Sequence, residues 1–81
     1  MNKSQLLWRC RRGVRELDVL FGRFLESTYP DLDNHQQVTF HQLLEVQDPV
    51  IMDWLFEKYQ PEDLAMRDLI SILQELSGIK K

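Results

Sequence analysis

Leu6, Cys10, Val14, Leu17, Phe21, Phe24 and Leu25 recur at steps of three and four, with one adjacent pair. At about 100° per residue they fall within an arc of about 100°. Leu7 extends that side, and Arg9, Arg11, Arg12, Arg15, Glu16 and Asp18 collect opposite it. The pattern holds whether residues 4–27 form one helix or two. Gly13 is the natural break: inside a helix glycine costs about 1 kcal/mol, and it suits a C-terminal cap. Two consecutive helices meeting near Gly13 are therefore expected. Pro30 disfavours a helical Tyr29 and ends the second. Residues 31–37 are polar and read as a loop. Thr39 with Gln42 three residues on predicts a capping box and a short helix whose apolar side carries Leu43, Leu44 and Val46. Asp48 predicts an N-cap, with Pro49 in the first helical position. Val50, Ile51, Trp54 and Leu55 share a face of that helix, with Met52 and Phe56 off it. Gln60-Pro61-Glu62-Asp63 closes it and opens a last helix with acids in its first turn. There Ala65, Leu69, Ile72 and Leu76 form the main stripe, supported by Met66, Ile70 and Leu73, and Gly78 suits a C-terminal cap. No stretch alternates like a strand, and there is no internal repeat. The expectation is an all-α fold, a compact bundle of five short helices in a single domain over residues 1–81. Its core draws on Leu6, Leu17, Phe21, Phe24, Leu43, Ile51, Trp54, Leu55, Leu69 and Leu73.

Composition narrows the class. The chain has 81 residues, 43% hydrophobic and 28% charged, a globular rather than disordered profile. Its one cysteine, Cys10, cannot form an internal disulfide, which points to a reducing compartment. No apolar run approaches the roughly 18 residues that cross a bilayer, and Met1-Asn2-Lys3-Ser4-Gln5 lacks the order of a secretory signal. A cytoplasmic protein without membrane insertion is expected. The net charge of −3 is unevenly spread: residues 1–25 carry six basic and two acidic side chains, residues 26–81 four and eleven. The two parts can attract each other when packed, and the basic segment can dock an acidic partner. Catalysis needs a nucleophile with a base, paired acids or a metal. His35 and His41 have no Cys or carboxylate pattern that completes a zinc site. Cys10 lies on the apolar side as a small core residue, and no glycine-rich phosphate loop exists. The chain is expected to be no enzyme, with no catalytic residues, no metal and no cofactor of its own.

The segment from Trp8 to Asp18 is the unusual part. On the wheel Trp8 falls among Arg11, Arg12 and Arg15, away from the apolar arc. That is the composition of a binding hot spot, and equally of a Trp packed beneath a neighbouring helix with arginines stacked on it. Arg12 and Glu16 can pair along one helix. If Gly13 breaks that helix, Glu16 instead sits in the first turn of the next, where a carboxylate suits the dipole. Gly13 serves either as a cap or as a point of close approach for a partner.

Arg12-Gly13-Val14-Arg15-Glu16 resembles the RGxxE motif of the SdhE flavinylation factors, a family that includes the mitochondrial succinate dehydrogenase assembly factor. The resemblance extends to Trp8 and Leu17-Asp18. A second block carries it too: Leu43-Leu44-Glu45, Asp48-Pro49 and Trp54-Leu55. It covers roughly residues 6–61. The chain departs from the family pattern at Val50, often acidic there, and at Phe56, where the family often has glycine. The resemblance implies an assembly chaperone that helps attach FAD covalently to a histidine of the flavoprotein subunit of succinate dehydrogenase. In many bacteria it implies the related fumarate reductase subunit as a second client. It implies that FAD is carried by the client, and that the partner-binding surface comprises Arg12 as charged anchor, Gly13 as close-approach point and Glu16 as acceptor. Trp8, Arg11, Arg15 and Asp18 would form its rim. A monomer that binds no nucleic acid is expected. The rival readings are an antitoxin-like or nucleic-acid-binding small helical regulator, the latter supported by the arginine cluster and opposed by the acidic total.

Overall fold

The computed structural model describes residues 2–78. Among them are five α-helices and no strand: α1 (Lys3–Arg9), α2 (Arg15–Ser27), α3 (Asn34–Leu43), α4 (Asp48–Leu55) and α5 (Leu64–Ser77), with a 3-10 turn at Tyr29–Asp31. The expected all-α bundle is observed, and the first apolar stripe is split into two helices by residues 10–14. Pro30 sits inside the 3-10 turn, and α2 ends at Ser27 just ahead of it.

Three expectations about helix starts are corrected. α3 begins at Asn34, within the stretch expected to be a loop. Asp33 accepts from the Gln36 amide at 2.8 Å while the Gln36 side chain returns to the Asp33 amide, so the capping box sits six residues before Thr39. Thr39 is buried inside the helix, and its hydroxyl donates to the His35 carbonyl. At α4 the capping residue is Gln47. Asp48 is the first helical residue, and its carboxylate turns away to other partners. At α5 the acids precede the helix: Asp63 is the N-cap and accepts from the Ala65 amide.

The core is one cluster to which all five helices contribute. Phe21, Phe24 and Phe40 are fully buried, with Phe40 edge-on to Phe21 at 5.7 Å and tilted against Phe24 at 4.6 Å. Leu17, Leu43, Ile51, Leu55 and Leu73 close around them, and α5 packs against α2, α3 and α4. Trp54, expected in the core, is only half-buried at its edge. Leu7 and Val50 stand in solvent, because α1 is too short to lay more than Leu6 and Cys10 on the core and α4 turns only its Ile51–Leu55 side inward. The buried face of α5 is rotated from the expected stripe. Met66, Leu69, Ile70 and Leu73 are buried, while Ala65, Ile72 and Leu76 lie at the margin. Gln74 joins the buried face because its side-chain amide donates to the Leu55 carbonyl at 2.9 Å, satisfying an open carbonyl at the end of α4.

Two helix ends use left-handed backbone. Gly78 caps α5 with φ 81°, as expected. After α4, Glu57 has φ 63°. The Lys58 amide bonds the Asp53 carbonyl and the Glu57 amide bonds the Trp54 carbonyl, the paired bonds of a Schellman turn. Glycine is the residue that adopts this conformation without a Cβ penalty. Glu57→Gly is expected to raise stability by about 0.5–1 kcal/mol, a melting increase of a few degrees for a chain this size. A thermal melt followed by circular dichroism checks it.

Burial also sets a pH response. The Tyr29 hydroxyl and His41 Nε2 are 2.7 Å apart, on the α3 side of the core. Burial lowers the His41 pKa from its ordinary 6.5 and raises that of Tyr29. The folded state therefore favours the neutral imidazole, which accepts from the phenol, and the unfolded chain takes up the proton first on acidification. Stability is present above the unfolded pKa and falls as pH drops below it. Denaturant unfolding at about pH 7.5 and about pH 5.5 should show a smaller loss for His41→Gln, which keeps an acceptor but does not titrate.

Candidate docking site

The RGxxE segment occupies the connector between α1 and α2, and its form is set by a contact with the connector between α3 and α4. Arg12 is the centre of it. Its Nε donates to Asp48 Oδ1 at 2.7 Å, Nη1 to the Leu44 carbonyl at 3.0 Å and the Arg9 carbonyl at 3.3 Å, and Nη2 to the Val46 carbonyl at 2.7 Å. The guanidinium also lies 5.7 Å from the centre of the Phe21 ring. One side chain thus satisfies carbonyls at the ends of α1 and α3 and a third in the connector after α3, and neutralises the acid that opens α4. The Arg12 side chain is 12% exposed. It does not pair with Glu16, since the helix is broken between them.

Asp48 works in both directions. Its second oxygen accepts from the Val14 amide at 3.3 Å. Val14 is the N-cap of α2 and has no side chain able to cap. The start of α2 is therefore capped from across the fold. Asp18 adds to this by accepting from the Arg12 amide at 3.2 Å. Sequence reasoning assigned Asp48 to its own helix and missed this role. The signal present was its membership of the second motif block. Glu45 of the same block pairs with Arg9, an exposed pair that contributes little to stability.

The remaining predicted residues divide into two groups. Gly13, Arg15 and Glu16 are exposed where the connector enters α2, and Glu16 lies in the first turn of that helix. Gly13 has no left-handed φ, and a Cβ built on it would meet only Asp48 Oδ2, at 3.9 Å. It is not a helix cap, since Cys10 ends α1. Nothing within the chain requires glycine there. Trp8 is 76% exposed on α1, packed under no helix, and lines a shallow depression with Ser4, Gln5 and Arg9. Among the described residues the arginine stacking falls on Phe21 rather than on Trp8. Arg11 is exposed, and Asp18 is half-buried. Arg15 and Glu16 face a separate groove on α2. Cys10 is buried and its thiol is pushed up to about 11, chiefly by that burial, so it is an inert core group. Among the described residues no cluster of His, Cys, Asp or Glu can hold a metal ion, and no helix is long and apolar enough to cross a membrane.

The sequence profile of the family described as flavinator of succinate dehydrogenase matches residues 4–77. The chain belongs to that flavinator family. Among curated relatives, the FAD assembly factor SdhE of Coxiella burnetii is 38% identical over 75 residues, covering 93% of this chain and 92% of that protein. Those of Yersinia pseudotuberculosis and Pectobacterium atrosepticum are 36% and 38% identical over 73 residues, covering 90% of this chain and 83% of theirs. The two blocks that carry the resemblance are the two halves of one clamp.

Arg12→Ala is expected to lower stability by about 2–4 kcal/mol, since it leaves Asp48 and two inter-helix carbonyls without their donor. Arg12→Lys recovers little, because one ammonium cannot replace the fork. Gly13→Ala stays within about 0.5 kcal/mol of the parent. Urea unfolding of the three variants measures the contrast.

Proposed function

We propose that the chain promotes covalent attachment of FAD to the flavoprotein subunit of succinate dehydrogenase, and to the related subunit of fumarate reductase, by binding that client through the surface at Gly13, Arg15 and Glu16. Trp8 and Arg11 extend the contact, and Arg12 and Asp18 hold the loop from beneath. The observation that carries this reading is Gly13. It is a glycine in ordinary backbone, open to solvent, on a loop immobilised by six hydrogen bonds to Arg12, Val14 and their partners. A position that the fold itself does not reserve for glycine, yet holds still, suits the close approach of another backbone.

The mechanism is positional. The bond forms within the client, between its histidine and its own FAD, and this chain contributes no group to it. A binder changes its client only by preferring one of the client's states. Holding histidine and flavin within reach of each other can lower a barrier by several kcal/mol without a new chemical group. Glu16, at the positive end of α2, accepts a hydrogen bond from the client, and Arg15 supplies a free cation beside it. The nucleic-acid reading is weakened by the same geometry. Arg9 and Arg12 spend their charge on Glu45 and Asp48, so the basic cluster is smaller than the sequence suggests. A monomer acting in the cytoplasm completes the proposal.

Gly13→Arg and Glu16→Ala should fold as the parent does, judged by circular dichroism, yet lower the fraction of client that carries covalent flavin. Flavin fluorescence of the client band after denaturing electrophoresis reads this in cells lacking the wild-type factor. Full flavinylation by either variant would show that the surface is misplaced.

A further inference from the structure

A groove of about 440 Å³ runs beside α2, between it, α4 and the end of α5. Its floor is apolar: Leu20, Met52, Leu55 and Phe56 line it. Phe56 is 56% exposed and the adjoining Val19 53%, so the groove opens onto a continuous apolar strip rather than scattered side chains. The left-handed Glu57 follows Phe56 directly, and the Schellman turn it closes fixes the backbone that presents the ring. A non-glycine residue held in that conformation is a local strain that the surroundings must offset. Arg15, Glu16 and Arg23 form the rim. Among the described residues neither Arg15 nor Arg23 makes an ion pair, so two guanidiniums face outward against one carboxylate.

We propose that this groove is a second contact region for the client flavoprotein, receiving a segment that carries an apolar side chain next to an Asp or Glu. The inference rests on the function proposed above and adds the chemistry of what is bound. Continuity favours the client over a second copy of this chain. Arg15 and Glu16 belong both to the RGxxE surface and to the groove, so a partner seated at Gly13 already covers one end of it. From Arg15 to Arg23 the contact extends about 12 Å along α2. A contact extended along α2 fixes the orientation of a client, which a loop contact alone does not, and orientation is what positional catalysis requires. The apolar floor takes the aliphatic or aromatic group, and the outward guanidiniums take the carboxylate.

The test uses the purified full-length chain and the flavoprotein subunit of succinate dehydrogenase with FAD. Phe56→Ala and Arg23→Glu change exposed side chains and should melt within a few degrees of the parent. Each is expected to weaken client binding roughly tenfold. A photoreactive benzoylphenylalanine at position 56 should crosslink to a client segment containing an apolar residue beside an Asp or Glu. Gly13→Arg serves as the reference. Parent-like binding by both groove variants while Gly13→Arg binds poorly overturns the groove and leaves the proposed function standing. Failure of the parent itself to bind or flavinylate the client overturns the function, and the groove with it. A change in sedimentation of the groove variants without a change in client binding assigns the groove to self-association and overturns the proposal.

Discussion

The bidentate hold of Asp48, on the Arg12 guanidinium with one oxygen and on the Val14 amide with the other, governs how the rest of this small bundle is arranged. The contact closes a separation of 36 residues in sequence. It joins the loop that enters α2 to the loop that enters α4, and its cationic half rests on Phe21 in the middle of the core. A chain this short buries a limited share of its surface. Connectors that would otherwise be held by water are tied here by charge-assisted hydrogen bonds in a partly dry setting, where such bonds are strong and a missing partner is costly. The arrangement also explains why α2 begins at a valine. Its cap is supplied from the first residue of α4, so the start of α2 depends on how the connector between α3 and α4 is placed.

In the proposed docking, that dependence links stability to recognition. The loop at Gly13 has no internal stiffness of its own, since it lies between two helices and carries a residue with little conformational preference. Because Arg12 and Asp18 hold its backbone, a partner that lands on it loses little to ordering the loop, and preorganisation of this kind raises affinity for a given contact area. The arginine that a reader of the motif would place on the outer surface is mostly used inside. What remains outside is a flat glycine, a cation and a carboxylate, with Trp8 on the neighbouring helix. Such a surface suits a helper that must grip a client and then leave, because its free charges steer encounter more than they secure the complex.

Much of the architecture was legible in the chain. The three-and-four spacing from Leu6 to Leu25 locates the first two helices, Pro30 locates the end of α2, and Gly78 the end of α5. The misreadings share one cause. Residues 31–37 look like a loop by polarity, yet Asp33 and Gln36 satisfy the free amides of a helix start, and reciprocal capping outweighed the weak propensities of Asn34 and His35. Asp48 looks like a cap by position, yet a cation and an amide from another connector competed for its oxygens and won. Trp54 and the rotated face of α5 depend on which neighbour arrives, and a hydrophobic wheel carries no information about neighbours.

The amino-acid order by itself determined the helical period, the breaks and the presence of an RGxxE segment with a second block some thirty residues later, because these are properties of near neighbours along the chain. Only the tertiary structure decided that the two blocks touch, that Arg12 faces inward while Gly13, Arg15 and Glu16 face out, and that a groove continues from them along α2. The physical reason is that a guanidinium has five donors and takes the partners that the fold brings within reach. Which carbonyls and carboxylates those are is settled when the helices pack.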